Sequence, residues 1–119
     1  MKSIRTAVKK VCEVVSDRQG EGIIVLDVSK ISSFTDFLII CHGRNQRQNQ
    51  AICNAVREIL KTEKKLTPHH VEGYRNAEWI LLDYLDFVIH IFSPSAHQFY
   101  GMEKLWDDGI KIVPKTLTD

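Results

Sequence analysis

The sequence predicts an α/β (α+β) domain in which a single mixed β-sheet has helices packed on one face. Three segments carry apolar residues at intervals of three and four, which is typical of amphipathic helices. Short apolar runs with turn residues between them are typical of strands. The resulting order is α-β-β-α-β-β-β-α in 119 residues, and one sheet covered on one side is the simplest packing for it.

The first half of the chain supplies two predicted helices and two predicted strands. Residues 3–17 carry an apolar stripe, and residues 23–28 are apolar on both faces, as in an interior strand. The second strand spans residues 34–41. Asn45 with Gln48 three residues later predicts the start of the second helix, because such a pair can satisfy the free N–H groups there.

The second half begins with a short edge strand at residues 68–71. Two longer strands, 78–84 and 87–92, form a hairpin around the two-residue turn Leu85-Asp86. Ser93-Pro94 predicts the start of a last helix, since Ser is a good cap and Pro a good first residue. We expect residues 1–109 to form one domain and residues 110–119 to form a loosely ordered tail.

The net charge, the length of the apolar runs and the cysteine spacing exclude several classes of protein. The net charge is +1, which argues against a protein whose main work is coating DNA or RNA, although it allows a small local basic patch. No segment approaches the roughly 20 apolar residues of a membrane span. The three cysteines, Cys12, Cys41 and Cys53, form no C-x-x-C pair, so we expect buried free thiols rather than disulfides or a zinc ribbon.

Strand alternation sorts the hairpin side chains onto two faces. With Tyr84 opposite Phe87 and Leu81 opposite His90, one face is apolar and is predicted to lie under the helices. The core face consists of Ile80, Leu82, Tyr84, Phe87, Ile89 and Ile91. The outer face consists of Trp79, Leu81, Asp83, Val88, His90 and Phe92.

This outer face is too apolar for a surface that meets only water. A contiguous patch with Trp and Phe predicts a partner-binding surface. The alternative is that another element of the same chain, such as the tail or the first helix, covers it. Asp83 is diagonal to His90 in this register, so the two could form an acid–base dyad or a hydrogen bond that orients interface groups. We favour the orienting bond, because no Ser or Cys nucleophile falls on this face.

Two other segments are candidate ligand sites. His69, His70 and Glu72 could ligate a metal, but neighbouring histidines on an extended segment point to opposite sides, which favours a surface loop. Residues 42–45 lie between a strand and a helix start, where free N–H groups suit an anion. No Gly-rich phosphate motif and no pair of closely spaced carboxylates accompanies them, so phosphoryl transfer is disfavoured.

Six segments together resemble the ribosomal silencing factor (Iojap-like) family, in order and with similar spacing over residues 3–108. Their central motif is Thr-Asp-Phe-Leu-Ile-Ile-Cys-His-Gly at residues 35–43. The last motif, Phe-Tyr-Gly-Met-Glu-Lys-Leu-Trp, contains Tyr100 and Trp106. The remaining segments are residues 27–29, 72–73, 79–84 and 88–92.

The resemblance implies a cytoplasmic homodimer that binds the large ribosomal subunit through one ribosomal protein on the subunit-joining face. Such a protein blocks association with the small subunit and lowers translation when nutrients are scarce. The family fold is nucleotidyltransferase-like but lacks the catalytic carboxylates, so no catalytic residue, metal or cofactor and no DNA or membrane partner is expected. The alternatives are a nucleotidyltransferase-like enzyme or nucleotide sensor acting at the Asn45 helix start, and a dimeric scaffold without a ribosomal role.

The expected residues for binding the ribosomal protein or the second subunit are the outer hairpin face with two aromatic residues of the last motif. They are Trp79, Leu81, Asp83, Val88, His90, Phe92, Tyr100 and Trp106. The chain departs from the family pattern at His97, Leu85, Gly101 and Met102. Leu85 stands where a turn Gly is usual, which strains a turn of positive φ, and Gly101 weakens the last predicted helix by about 1 kcal/mol relative to Ala.

Overall fold

A six-stranded mixed sheet forms the framework of the protein, whose computed structural model describes residues 4–93 and 110–113. Two helices, α1 (Ile4–Asp17) and α2 (Gln46–Lys64), accompany it. The strands in chain order are β1 (Glu21–Asp27), β2 (Phe37–His42), β3 (His70–Glu72), β4 (Trp79–Asp83), β5 (Phe87–Phe92) and β6 (Ile110–Ile112).

The strand order across the sheet is β3-β4-β5-β2-β1-β6. Strands β2 and β5 are parallel and meet at the centre, with Phe37 opposite Phe87. The other neighbours within the described ranges are antiparallel. The mixed α+β sheet predicted from the sequence is therefore confirmed.

Both described helices pack on the same face of the sheet, as predicted. The apolar stripe of α1 is buried, because Val8, Val11 and Val15 each have no exposed surface. They join a core with the inner side chains of the strands, among them Ile39 and Ile89. The predicted last helix, residues 93–109, lies outside the described residues except for Ser93.

The opposite face of the sheet is also partly buried. A second cluster contains Leu26, Leu38, Ile40 and Phe92, each at most 2% exposed, together with Val28. Because successive side chains of a strand point to opposite faces, a strand that is buried on both sides must be apolar throughout. That pattern in residues 23–28 correctly predicted an interior strand.

Helix α2 begins at the predicted cap. The backbone N–H of Gln48 donates to Asn45 Oδ1 at 2.8 Å. The side chain of Gln48 accepts from the N–H of Arg44 at 2.6 Å rather than from that of Asn45, so the reciprocal bond of a capping box is shifted by one residue.

Two sequence predictions need correction. Residues 110–112 do not belong to a loose tail, because they form β6, with Ile112 opposite Val25 of β1. Pairing satisfies the N–H and C=O groups that β1 would otherwise leave open at the sheet edge. Strand β2 starts at Phe37 instead of residue 34, since Ser32 Oγ accepts from the N–H of Phe34 at 3.1 Å and holds a loop there.

Candidate functional site

The hairpin of β4 and β5 has the register that the two-residue turn predicted. Leu81 lies opposite His90, and the N–H of Tyr84 donates to the carbonyl of Phe87 at 2.9 Å. Leu85 has a φ of 72°. The N–H of Asp86 donates back to the carbonyl of Tyr84 at 2.8 Å, so the chain reverses in a γ-turn centred on a non-glycine residue.

The two faces of the hairpin are those that alternation predicted. The inner set, Ile80, Leu82, Tyr84, Phe87, Ile89 and Ile91, is buried in the main core. The outer set is graded in exposure. Phe92 is 0% and His90 is 6% exposed, whereas Trp79 is 39% exposed, and Leu81, Asp83 and Val88 are half-buried.

Trp79 is supported by the two buried side chains of the outer set. Its ring stacks on that of Phe92, with centroids 5.0 Å apart, and its Nε1–H donates to His90 Nδ1 at 2.9 Å. An indole N–H can only donate, so His90 Nδ1 must carry a lone pair. Burial lowers the pKa of His90 to about 4, which keeps the imidazole neutral and able to accept this bond.

The predicted pairing of Asp83 with His90 is wrong. Asp83 Oδ1 accepts from the backbone N–H of Leu85 at 2.8 Å, while the histidine is bonded to Trp79. A short carboxylate reaches a backbone N–H two residues away more easily than a diagonal side chain 7–8 Å distant at the backbone. Asp83 therefore holds the turn, and His90 still orients an aromatic group, with a different partner.

The available surface of the outer face thus lies on the β4 side. Trp79 is the largest exposed apolar side chain of this face, and the buried Phe92 and His90 hold its ring in place. The part these residues play in partner binding stays a prediction. Tyr100 and Trp106, which the sequence added to the same set, lie outside the described residues.

The candidate anion site at the start of α2 is partly occupied by side chains of the same chain. The N–H of Gly43 donates to Asn49 Oδ1 at 2.9 Å, and the N–H groups of Arg44 and Gln48 are bonded to Gln48 Oε1 and Asn45 Oδ1. A Cβ on Gly43 would lie 2.5 Å from Asn49 Oδ1. These three N–H groups are among the donors that a nucleotide phosphate would use, and their engagement weakens the support for nucleotide binding.

Asn49 is the structural residue that the sequence did not reveal. It is fully buried and links three segments, since its Nδ2 donates to the carbonyl of Ala77 at 2.8 Å and to Ser93 Oγ at 3.3 Å. The only sequence signal was a polar residue on the apolar side of the predicted helix. The bonds hold the segment that precedes Trp79 against α2.

The histidine segment and the cysteines, which were the other candidate ligands, do not form a metal site in the described residues. His70 Nε2 and Glu72 Oε2 are 2.7 Å apart on the exposed edge strand β3, and the described ranges contain no group of three His, Cys, Asp or Glu side chains fit for a metal. The three cysteines are buried free thiols, as predicted. Burial raises the pKa of Cys12 to about 12 and that of Cys53 to about 11, so both are poor nucleophiles.

Within the residues that the structure describes, no helix is long and apolar enough to cross a membrane. The longest described helix, α2, has 19 residues and alternates buried with charged positions.

Comparison with known proteins gives a consistent result. The family described as "Ribosomal silencing factor during starvation" matches residues 1–119. The ribosomal silencing factor RsfS of Bacillus subtilis is 35% identical over 107 residues, which cover 90% of this chain and 87% of that protein. The RsfS of Halalkalibacterium halodurans is 36% identical over 94 residues, covering 79% and 80%.

Solved structures agree in fold. A crystal structure of a Chromobacterium violaceum protein superposes with a TM-score of 0.83 and 34% identity, covering 89% of this chain and 88% of that one. The match of the family over the whole chain and the shared sheet lead to one conclusion: the chain belongs to the ribosomal silencing factor family.

Proposed function

We propose that this protein binds the large ribosomal subunit on the face that joins the small subunit, and so lowers translation when nutrients are limiting. Membership of the ribosomal silencing factor family supports the ribosome as target. Blocking the joining of two subunits requires only affinity and the volume of a folded domain. The proposal therefore assigns no catalytic step, metal or cofactor to the chain.

The observation that carries the proposal is the exposed Trp79 ring on a buried support. A large aromatic side chain that is already held in one orientation loses little conformational entropy on binding, and such residues dominate many interfaces. The stack on Phe92 and the bond to His90 provide that orientation. We propose that this ring and the adjacent half-buried Leu81 and Val88 dock on a ribosomal protein.

Two further properties belong to the same proposal. The protein would act in the cytoplasm, where ribosomes translate. It would also form a homodimer, as the family resemblance implies, using apolar surface that the docking of Trp79 leaves free.

Sedimentation of purified ribosomal subunits tests the proposal. Small and large subunits are mixed with excess protein, and the fraction that joins is measured on sucrose gradients. We expect joining to fall and the protein to migrate with the large subunit. Normal joining with the protein in excess would contradict the proposal.

A variant pair tests the assigned surface. Trp79→Ala should weaken binding to the large subunit by about 30-fold, the effect of losing roughly 2 kcal/mol at the centre of an interface. Glu58→Ala removes an exposed side chain on α2, across the sheet, and should bind as the wild type does. Urea denaturation of both variants separates loss of binding from loss of folding. Equal affinity of Trp79→Ala and wild type would remove Trp79 from the interface.

A further inference from the structure

Three arginines gather at the end of the sheet where β2 and β5 finish and β4 begins. We call them the arginine end: Arg44 and Arg47 flank the start of α2, and Arg75 lies in the loop before β4. All three side chains are exposed. Nothing in the proposed docking of Trp79 uses them.

Hydrogen bonds fix the segments that carry these arginines. The N–H of Gly43, just before Arg44, is shared between Asn49 Oδ1 at 2.9 Å and the carbonyl of Phe92 at 3.1 Å, which places Arg44 beside the residue that supports Trp79. Gln50 Nε2 donates to the carbonyl of Tyr74 at 2.8 Å and to that of Arg75 at 3.4 Å. The arginine end is therefore continuous with the exposed Trp79 ring, and its backbone is held on both sides.

The three guanidinium groups are free of carboxylate partners in the part of the chain that is described. The ion pairs found there involve Lys10 and His70 instead. Arg44 Nε donates to the neutral Gln48 Oε1 at 3.3 Å. Of the acids at this end, Glu78 Oε2 accepts from Gln46 Nε2 at 2.8 Å, and Glu21 lies at the first position of β1.

The opposite end of the sheet is acidic. Asp27 and Asp83 end β1 and β4, and Asp36 and Asp86 lie just before β2 and β5. The N–H of Asp36 donates to the carbonyl of Asp86 at 3.0 Å, which holds these loops together. Four aspartates therefore lie at the end of the sheet opposite the arginine end. Two cations accompany them, since the Arg5 guanidinium lies over the Phe37 ring and Lys30 is near Asp27, so this end is acidic overall without being purely so.

We propose that the arginine end binds the phosphate backbone of ribosomal RNA next to the protein surface on which Trp79 docks. This inference rests on the proposed function. Planar guanidinium forks match phosphate oxygens with two parallel hydrogen bonds, and all three cations are Arg rather than Lys. The positive end of the α2 dipole adds to the attraction, and the aspartate end turns away from RNA, so the two ends together set one orientation on the subunit.

The salt dependence of binding gives the expected magnitude. Each phosphate contact contributes about 0.7–0.9 to the slope of log affinity against log salt concentration, because bound counterions are released. Three contacts therefore contribute about 2–3 to that slope. Loss of Trp79, which carries no charge, leaves the slope unchanged.

The experiment measures binding to purified large ribosomal subunits over a range of KCl concentrations. The triple variant Arg44→Gln, Arg47→Gln, Arg75→Gln is compared with wild type. The matched control is Arg57→Gln, Lys61→Gln, Lys65→Gln, which removes the same charge from exposed positions along and just after the second half of α2. We expect the slope to fall by about 2 or more for the arginine-end variant alone, with affinity at least about 10-fold lower at moderate salt.

The outcomes separate the two proposals. Failure of the wild type to bind large subunits would overturn the proposed function. Wild-type binding with equal slopes for both triple variants would overturn only the arginine-end contact. A second arm uses fluorescently labelled poly(U), which we expect wild type to bind with a Kd of about 10⁻⁴–10⁻⁶ M and the arginine-end variant to bind more weakly. If poly(U) binding is equal while the subunit slope falls, the ligand is an acidic protein surface and the RNA assignment is overturned.

Discussion

Leu85 offers a direct measurement of the strain in the hairpin turn. It has a φ of 72°, a region in which an L-residue brings its Cβ too close to the following carbonyl oxygen. Its side chain is 54% exposed, so replacement by Gly also removes some buried surface. Comparing Leu85→Gly with Leu85→Ala cancels most of that loss, because the two variants differ only by a methyl group at the strained position.

The magnitude follows from two opposing effects. The left-handed conformation costs Ala roughly 1–2 kcal/mol and costs Gly almost nothing. Gly has greater conformational freedom in the unfolded chain, which offsets about 0.4–1 kcal/mol of that gain. The difference leaves Leu85→Gly more stable than Leu85→Ala by up to about 1.6 kcal/mol, with a central value of about 0.8 kcal/mol, or roughly 2–6 °C in Tm for a domain of this size.

Urea denaturation followed by circular dichroism measures the difference. The control is Ala51→Gly, at an exposed position inside α2, where ordinary helix propensity makes Gly less stable than Ala by about 1 kcal/mol. The two Ala-to-Gly comparisons should therefore have opposite signs. If Leu85→Gly is less stable than Leu85→Ala, the turn is not strained and the reasoning is refuted.

Three further predictions concern the support of the Trp79 surface. Asn49→Ala leaves the buried carbonyl of Ala77 without its 2.8 Å donor and should lower the free energy of unfolding by about 2–4 kcal/mol; a loss below about 1 kcal/mol in urea titration would contradict this. Gly73→Ala should cost about 3 kcal/mol or more in the same assay, because its Cβ would lie 2.0 Å from the carbonyl oxygen of Trp79 at a φ of +78°; wild-type stability would disprove the clash. Burial depresses the pKa of His90 from 6.5 to about 4, so the unfolded chain binds the proton first, and the stability present above pH 6.5 is lost as pH falls towards 4. Between pH 7 and pH 4.5 that loss should be about 2.5 kcal/mol, and it should be much smaller in His90→Phe, with the free energy of unfolding compared at the two pH values; parallel pH profiles for the two proteins would rule out His90 as the cause.

The elements that the sequence predicted well are those with long periodic patterns. The stripe of α1 and the alternation of the hairpin each repeat several times, so packing and pattern agree. The cap at Asn45 was predicted because its side chain acts on a backbone N–H only three residues away. An interaction between residues this close in the chain can be predicted from the sequence alone.

The features that the sequence did not reveal depend on contacts between distant segments. Strand β6 has only three residues, which is too short for an alternation of apolar and polar residues to be recognised. It forms because the edge of β1 has free backbone N–H and C=O groups with which it can pair. Trp79 and His90 are neighbours in the sheet and are joined by a hydrogen bond. Nothing in the sequence indicates that His90 bonds to the indole of Trp79 rather than to the carboxylate of Asp83. The arginine end is spread over residues 44–75 and becomes a group only when the loop before β4 folds onto α2.

The parallel pairing of β2 with β5 has a consequence for how the chain reaches this structure. Residue 37 lies opposite residue 87, about 50 residues away, whereas the pairs β1–β2 and β4–β5 are close in sequence. Contacts between distant residues form slowly, because the chain must first lose the conformational entropy of a long loop before those contacts can stabilise the structure. We therefore expect two locally folded halves to assemble first and the central seam between them to limit the rate of folding. Substitutions in that seam should slow folding more than equally destabilising ones at the far edges of the sheet.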